Sequence, residues 1–405
     1  MKFFHLSDLH IGLKLMNHDL REDQEYILNQ VVTMAKEQCP DAIVIAGDIY
    51  DKSVPSAEAV EVFDHFLSDL TNAVPDTVIM MISGNHDSAP RVDCFRSVLS
   101  KQKIYMIGNP PRKETDYIEK VTLKDEYGNV NFYLLPFVKP SMVKQIVGTD
   151  EHGNNLSYDA AVHALIEREQ IDMSERNVLV SHQFYLPVGK QAEDVERMES
   201  EICTVGNIDE VCADVLEVFD YAALGHIHKP MKAGSEYYRY CGTPLACSVS
   251  EAEQSKGVVM VEFGDKNCSR DTLQRMQNIS AADDDENREY IKISVLPLTP
   301  LRKVRVIEGD LEEVLHRSCD DYVSVLLTDK VDLNVIDMQD RIRLAFPNLL
   351  EIRRKTQRKA DYSKMVRVQE ELDPFALCCA FLKELDEEEQ SIMQDVINTV
   401  LEVNG

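Results

Sequence analysis

Apolar and polar residues along this chain fall into repeating blocks. Lys2 to Ser7 is a short apolar strand, and Asp41 to Ala46 and Thr77 to Ile82 are near-continuous apolar runs of the kind found in strands covered on both faces. Between the first two runs, Asp19 to Gln38 carries Leu20, Tyr26, Ile27, Val31 and Met34 at helical spacing and stops before Pro40, which predicts an amphipathic helix. A second helix is expected over Ser56 to Leu70. The order strand, polar loop, helix therefore repeats, which implies an α/β layer structure whose loops converge at one set of strand ends. From Tyr117 to Pro136 the pattern changes to a hairpin around Tyr127-Gly128-Asn129. A helix near Tyr158 to Glu169, strands at Asn177 to Val180 and Phe219 to Leu224, and a closing strand within Lys256 to Phe263 complete this first body.

Composition shifts at Asn278 to Arg288, as expected of a linker. Beyond it, strands at Tyr290 to Val295 and Tyr322 to Leu327 and helices at Leu311 to His316 and Met338 to Leu344 predict a small α+β module. A basic passage, Arg353 to Lys364, leads to two terminal amphipathic helices. In the first, Asp373 caps and Pro374 takes the first helical position; in the second, Asp386 and Glu389 form a capping-box-like pair. The expected division is 1–278, 289–352, a linker at 353–370 and a helix pair at 371–405. An exposed apolar stripe on that pair is usually intramolecular core, but the basic linker shifts the balance toward a partner surface. The polar segment Leu186 to Ser200 reads as a mobile loop over the site.

With 405 residues and 44% hydrophobic content the chain can bury a large core. No run approaches the ~20 apolar residues of a membrane span, and the first residues lead directly into a strand, so the expectation is a soluble cytoplasmic protein without membrane contact. Ten cysteines without a CxxC pair suggest neither a zinc knuckle nor a disulfide framework, and are expected to be reduced and mostly buried. The net charge of -28 argues against gripping nucleic acid through a general basic surface. Any such contact must be local, mediated by metal or shared with a partner.

The candidate chemistry lies just past the strands. Asp8 and His10 follow the first, Asp48 the second, Asn85, His86 and Asp87 the third, His182 the run ending at Ser181, and His226 and His228 the run ending at Leu224. One HxH pair is as often two unrelated loop histidines as a ligand pair. Five strand ends carrying ligand-type residues are not explained that way. Seven N/O donors without a thiolate, namely Asp8, His10, Asp48, Asn85, His182, His226 and His228, exceed the needs of one tetrahedral zinc and suit two ions of the manganese or iron type. Two such ions hold a phosphate and activate water for phosphoester hydrolysis. His86 is placed to assist the leaving oxygen, with Asp87 to orient it.

In order, Asp8-Leu9-His10, Gly47-Asp48-Ile49-Tyr50-Asp51, Gly84-Asn85-His86-Asp87, Ser181-His182 and Gly225-His226-Ile227-His228 resemble the signature of the calcineurin-like metallophosphoesterases. The resemblance implies a four-layer αββα sandwich with a small α+β capping domain and a C-terminal helix pair. It places Asp8, His10, Asp48 and His228 on one metal and Asp48, Asn85, His182 and His226 on the other, with His86 assisting cleavage. Within that superfamily the chain is similar over nearly its whole length to bacterial DNA-repair nuclease subunits. Their likeness implies two divalent ions, Mn(2+) above others, a coiled-coil ATPase partner for the Leu372-Asp373-Pro374-Phe375 helix pair, and DNA ends and hairpins as substrate. It also implies a homodimer within a heterotetramer; the helices around Asp51 to Leu70 and Asp87 to Leu99 are where a dimer contact is expected. Some relatives carry a second catalytic histidine where Asp51 stands. A phosphatase or small-molecule phosphodiesterase on the same site is the alternative enzyme reading; a structural adaptor holding DNA is the alternative from another class, with no need of seven converging donors.

Overall fold

The first strand, Lys2–Leu6, is buried on both faces from Phe3 to Leu6, and the alternation of its side chains sets the layering of the molecule. Phe3 points into one apolar cluster, where its ring meets Phe132, Tyr221 and Phe263 edge-on at centroid distances of 5.3, 5.7 and 5.6 Å. Phe4 and Leu6 point the other way and join Ile27, Val31, Val62 and Phe66 of two helices. Period two thus assigns one face of the strand to a sheet-on-sheet core and the other to a helical layer. The computed structural model describes residues 1–190, 209–266, 288–329, 335–355 and 393.

Two mixed six-stranded sheets form the centre. In the first, Lys2–Leu6, Ala42–Ala46, Val78–Ile82 and Ile104–Ile107 run parallel, and Gly257–Phe263 and Ile291–Pro297 add antiparallel to the other side of Lys2–Leu6. In the second, Gly128–Leu135, Arg176–Ser181, Tyr221–Leu224 and Tyr238–Tyr240 are parallel, with Glu119–Asp125 and Met231–Lys232 antiparallel at the edges. Helices Arg21–Gln38 and Ala57–Ala73 cover the first sheet. Helices Pro140–Val147 and Tyr158–Glu167 pack Val143, Ala161, Val162 and Leu165 into the second sheet's cluster. Ser56 and Ser157 cap their helices by accepting from Ala59 and Ala160 N–H. The expected α/β sandwich is present, and the helices predicted within residues 1–355 agree with the observed ones to within three residues at each end.

His5 is the one polar side chain of the first strand between the sheets. It bonds to the Tyr221 hydroxyl (3.0 Å) and the Leu224 carbonyl (3.2 Å), and burial lowers its imidazole to about 3, so it stays neutral. At the far edge, Arg176 is almost fully buried and makes a bidentate pair with Asp125, which also accepts from the Met1 ammonium.

The small module is a parallel three-stranded sheet, Val304–Gly309, Tyr322–Leu327 and Leu349–Arg354, with helices Leu311–Leu315 and Val335–Ala345 and its own apolar cluster. One expectation needs correction. The strand predicted over Tyr290 to Val295 is not part of this module; Ile291–Pro297 pairs along its full length with Gly257–Phe263 in the first large sheet. Its alternating pattern suits either location, and only the register decides. Two strands of the module, Val304–Gly309 and Leu349–Arg354, escaped sequence reading because charged residues interrupt their apolar positions. Module and body meet where Arg302 pairs with buried Asp23, which also accepts from the Tyr322 hydroxyl, and where His18 bonds to the Leu349 carbonyl.

The predicted linker at Asn278 to Arg288 lies outside the described residues except for Arg288, the predicted loop at Leu186 to Ser200 is described only to residue 190, and the predicted terminal helices lie outside them save Met393, which is helical. Residues 1–355 form one compact unit and 356–405 a second. Of the six described cysteines, all free, only Cys241 is buried, so the expectation of mostly buried thiols does not hold for them.

Candidate metal centre

The site sits where parallel strands of both sheets end. Lys2–Leu6, Ala42–Ala46 and Val78–Ile82 are neighbours in one sheet, and Arg176–Ser181 and Tyr221–Leu224 are neighbours in the other. Chain reversal after five adjacent strand ends brings their first loop residues together, as expected at the carboxyl ends of an open sheet. The reversals are tight. Asp8, His10, Asp48 and His226 have φ of 52°, 43°, 50° and 97°, four of the ten non-glycine residues with left-handed φ among the described residues. Such conformations cost about 1–3 kcal/mol each and persist where surrounding contacts impose them. Here Asp8 N–H donates to the Gly47 carbonyl, His10 N–H to the Asp48 carbonyl and Gly225 N–H to the Ser181 carbonyl, each at 3.0 Å. Glycine is required at two contacts: a Cβ on Gly84 would lie 2.1 Å from Asp48 Oδ1, and one on Gly47, where φ is +87°, would lie 2.2 Å from His182 Nδ1.

All seven expected donors meet here. His10 Nε2 faces His228 Nε2 at 3.0 Å and Asp48 Oδ2 at 3.8 Å. His182 Nε2 lies 3.3 Å from Asp48 Oδ2 and 4.0 Å from Asp8 Oδ1, and Asn85 Oδ1 lies 3.0 Å from His182 Nε2 and 3.1 Å from His226 Nδ1. Ligand atoms of Asp8, His10 and His228, of His10, Asp48 and His86, and of Asp8, Asp48 and His182 each fall within 4.8 Å of one another. Asp48 thus stands between two groups of imidazoles.

The ring of His182 is aimed by its Nδ1–H, which donates to the Ala46 carbonyl at 2.7 Å. Asp8 accepts from His226 N–H, and Phe137 stacks on the His226 ring at an interplanar angle of 22°. The Ser7 hydroxyl donates to Asp8 and lies 3.0 Å from Cys241 Sγ. Phe137, Ser7 and Cys241 had no motif to reveal them. The glycine-free stretch Thr243 to Lys256 was also missed: Glu251 Oε1 lies 3.6 Å from His228 Nδ1, on the side of that ring away from His10.

His86 is half-buried, its N–H donates to Asp48 Oδ1 (2.9 Å), and its Nδ1–H donates to the Asp51 carbonyl (2.9 Å). The orienting role expected of Asp87 is therefore supplied by the backbone of Asp51. Both Asp87 oxygens accept instead from the N–H groups of Ile49, Tyr50 and Gly84 at 3.0 Å, tying two ligand loops together. Burial, then the charge of Asp48, raises the Asp87 carboxyl to about 6. The Asp51 carboxylate lies 3.9 Å from His10 Nδ1.

The residues fit a pair of divalent cations. His10 Nδ1 is buried without a hydrogen-bond partner, and the Nε2 atoms of His10 and His228 face each other with Asp8 grouped beside both and Asp48 beside His10. Burial lowers the His10 imidazole to about 3, leaving it neutral and able to ligate. Burial would also push the Asp48 carboxyl up, but His182 and His10 hold it well below the carboxylate range. Burial opposes protonation of His182 too, yet Asp48 and Asp8 raise it to about 9, above its ordinary 6.5. A site that draws a proton onto His182 is one that favours positive charge. Because that proton must leave before Nε2 can bind a metal, metal affinity is expected to rise by up to about tenfold per pH unit as the pH climbs toward 9 and to level off above it. Calorimetric Mn(2+) titrations in buffers of different ionisation enthalpy will measure the protons released at each pH; none at pH 7 would contradict the assignment.

Residues 1–230 match the calcineurin-like phosphoesterase family, and residues 300–385 match the type 5 capsule protein repressor C-terminal domain. The chain is 29% identical over 360 residues to the SbcCD nuclease subunit SbcD of Staphylococcus epidermidis, covering 87% of this chain and 85% of that one. Among solved structures, a Thermus thermophilus protein is 12% identical, covering 63% of this chain and 92% of that chain with a TM-score of 0.34. A dimetal phosphatase from Danio rerio is 11% identical, covering 64% of this chain and 92% of that chain with a TM-score of 0.33.

Proposed function

Because the chain belongs to the calcineurin-like phosphoesterase family, we propose that it is the metal-dependent nuclease subunit of an SbcCD-type complex, hydrolysing phosphodiester bonds at DNA ends and hairpins. The observation that carries this reading is the extent of the similarity: it runs through the phosphoesterase body and on into the small module, 87% of the chain, to a protein named as a nuclease subunit. A phosphatase built on the body alone would need neither the module nor the terminal segment beyond it.

The ligand set is Asp8, His10, Asp48 and His228 for one ion and Asp48, Asn85, His182 and His226 for the other, with Asp48 shared. Nitrogen and oxygen donors without a thiolate favour Mn(2+) over softer choices. Bound there, two divalent ions supply Lewis-acid polarisation of the phosphoryl oxygens and a lowered water pKa. The protein's own groups do the rest. His86, held by Asp51's carbonyl with its other ring nitrogen directed away, delivers a proton to the departing oxygen. Asp87 keeps the loops carrying Asp48 and Asn85 in register, and Phe137 beside His226 limits water at that edge.

The domain reading becomes a nuclease body through Pro297, a capping module over Val304 to Arg354 that extends the DNA surface, and a terminal segment at 371–405 that docks on the coiled-coil base of an SbcC-type ATPase. Exposed Val54, Val60, Phe95 and Val98, near helix Ala57–Ala73 and the short helix Arg96–Leu99, support a homodimer within a heterotetramer. No helix among the described residues is long and apolar enough to cross a membrane, and their free cysteines suit the reducing cytoplasm.

The test is cleavage of end-labelled linear and hairpin duplex DNA, beside a small phosphodiester, by the purified chain with its ATPase partner and ATP. Cleavage of DNA that chelation abolishes and Mn(2+) restores is the expected result. Hydrolysis of the small ester with DNA left intact would instead favour the phosphodiesterase alternative.

A further inference from the structure

Beyond the ligands, one buried charge cluster is aimed at the site. Glu251 is almost fully buried, and its Oε1 lies 3.6 Å from His228 Nδ1, while His228 Nε2 faces His10 on the opposite side of the ring. The carboxylate is itself fixed. Lys256 Nζ donates to Glu251 Oε2 at 2.6 Å, the Thr243 hydroxyl donates to the same oxygen at 3.0 Å, and the Ser248 hydroxyl donates to Oε1 at 3.0 Å. Lys256 Nζ also donates to the backbone carbonyl of His228 at 3.1 Å, and Thr243 N–H donates to that carbonyl at 3.2 Å. The network therefore holds one ligand from both its side chain and its main chain. Cys247 lies in the same group, but its thiol donates to the Leu245 carbonyl and carries no charge toward the ring.

We propose that Glu251, locked by Lys256, is the positioning residue for His228: it keeps the proton on Nδ1 and presents the Nε2 lone pair to the ion that His228 shares with Asp8, His10 and Asp48. At 3.6 Å the contact is longer than a hydrogen bond, so its effect on the tautomer is electrostatic. A carboxylate behind a ligating imidazole raises its basicity and fixes its angle, and loss of such a partner typically weakens metal binding about 10–100-fold. The inference rests on the proposed metal assignment. It also explains why a lysine is buried beside a centre that gathers cations: the Lys256 charge is paired with Glu251 at 2.6 Å.

The experiment is Mn(2+) titration of the full chain by calorimetry, with DNA cleavage followed against Mn(2+) concentration, for the wild type, Glu251→Gln and the double variant Glu251→Gln/Lys256→Met. The double variant removes the buried pair together, so that no unpaired ammonium is left to unfold the protein. The expected result is one ion bound as in the wild type and the other weakened about 10–100-fold. Cleavage should return to within about twofold at saturating Mn(2+), with the half-saturating concentration raised in proportion. A merely structural pair would lower the melting temperature and leave both affinities unchanged; wild-type affinity at both positions in the folded double variant overturns the proposal. If the wild type itself binds no divalent metal, the metal assignment falls and the role of Glu251 with it, whereas two ions in the wild type and two unaltered ones in the variant sink this inference alone.

Discussion

Asp48→Asn is expected to weaken both ions and to reduce DNA cleavage by at least ~10³-fold, about 4 kcal/mol of transition-state stabilisation. The reason is position. Asp48 Oδ2 lies 3.3 Å from His182 Nε2 and 3.8 Å from His10 Nε2, so one carboxylate serves both groups of imidazoles. An amide keeps the shape and can still accept the His86 N–H at Oδ1, but it removes the negative charge on which the two groups converge. Substitution of Asn85, whose Oδ1 lies 3.0 Å from His182 Nε2 and 3.1 Å from His226 Nδ1, should weaken one ion and spare the other. Metal titration of the two variants side by side is the check. Retention of two ions at wild-type affinity in Asp48→Asn would exclude it as the shared ligand.

His86→Ala should behave differently: Mn(2+) affinity stays within about twofold while the turnover number on DNA drops ~10²–10⁴-fold, the usual contribution of a positioned acid. The ring is outside the seven-donor set, it is half-buried and not enclosed, and its Nδ1–H is committed to the Asp51 carbonyl, so only Nε2 is available to substrate. The same geometry ties the loss to the leaving group. A nitrophenolate needs no proton to depart, so hydrolysis of a nitrophenyl phosphodiester should lose far less than DNA cleavage does. Equal losses on both substrates would mean that His86 serves binding or metal retention and not proton delivery.

Much of this molecule was readable from residues in order. The apolar runs at Ala42–Ala46 and Val78–Ile82, the helical stripe from Leu20 to Met34 and the hairpin expected around Tyr127-Gly128-Asn129, whose turn falls at Glu126-Tyr127, are local patterns, because period two and period 3.6 are properties of the backbone itself. The candidate donors were picked out by the same kind of pattern, since each follows a strand at a loop rich in glycine, aspartate and histidine. What local pattern could not reach was the pairing. Ile291–Pro297 alternates in the same way whether it opens the small module or closes the large sheet, and only hydrogen-bond register with Gly257–Phe263 placed it. The strands Val304–Gly309 and Leu349–Arg354 were hidden because charged residues, Arg305 and Glu308 in one and Glu351, Arg353 and Arg354 in the other, interrupt their apolar positions.

The roles around the centre divide along the same line. Residue type and spacing identified His86 and Asp87 as a pair, yet the fold turns Asp87 toward the backbone of Ile49, Tyr50 and Gly84 and brings the carbonyl of Asp51 to His86. Glu251 lies 23 residues after His228 in a stretch with no signature, and became part of the site only because the chain between them folds back under the imidazole. Strand composition is thus a local property, set by which side chains fit a half-buried or buried extended backbone. Ligand orientation, tautomer and the partners of buried charges depend on groups distant in the chain, because a low-dielectric interior leaves each polar atom to find whichever partner the packing brings.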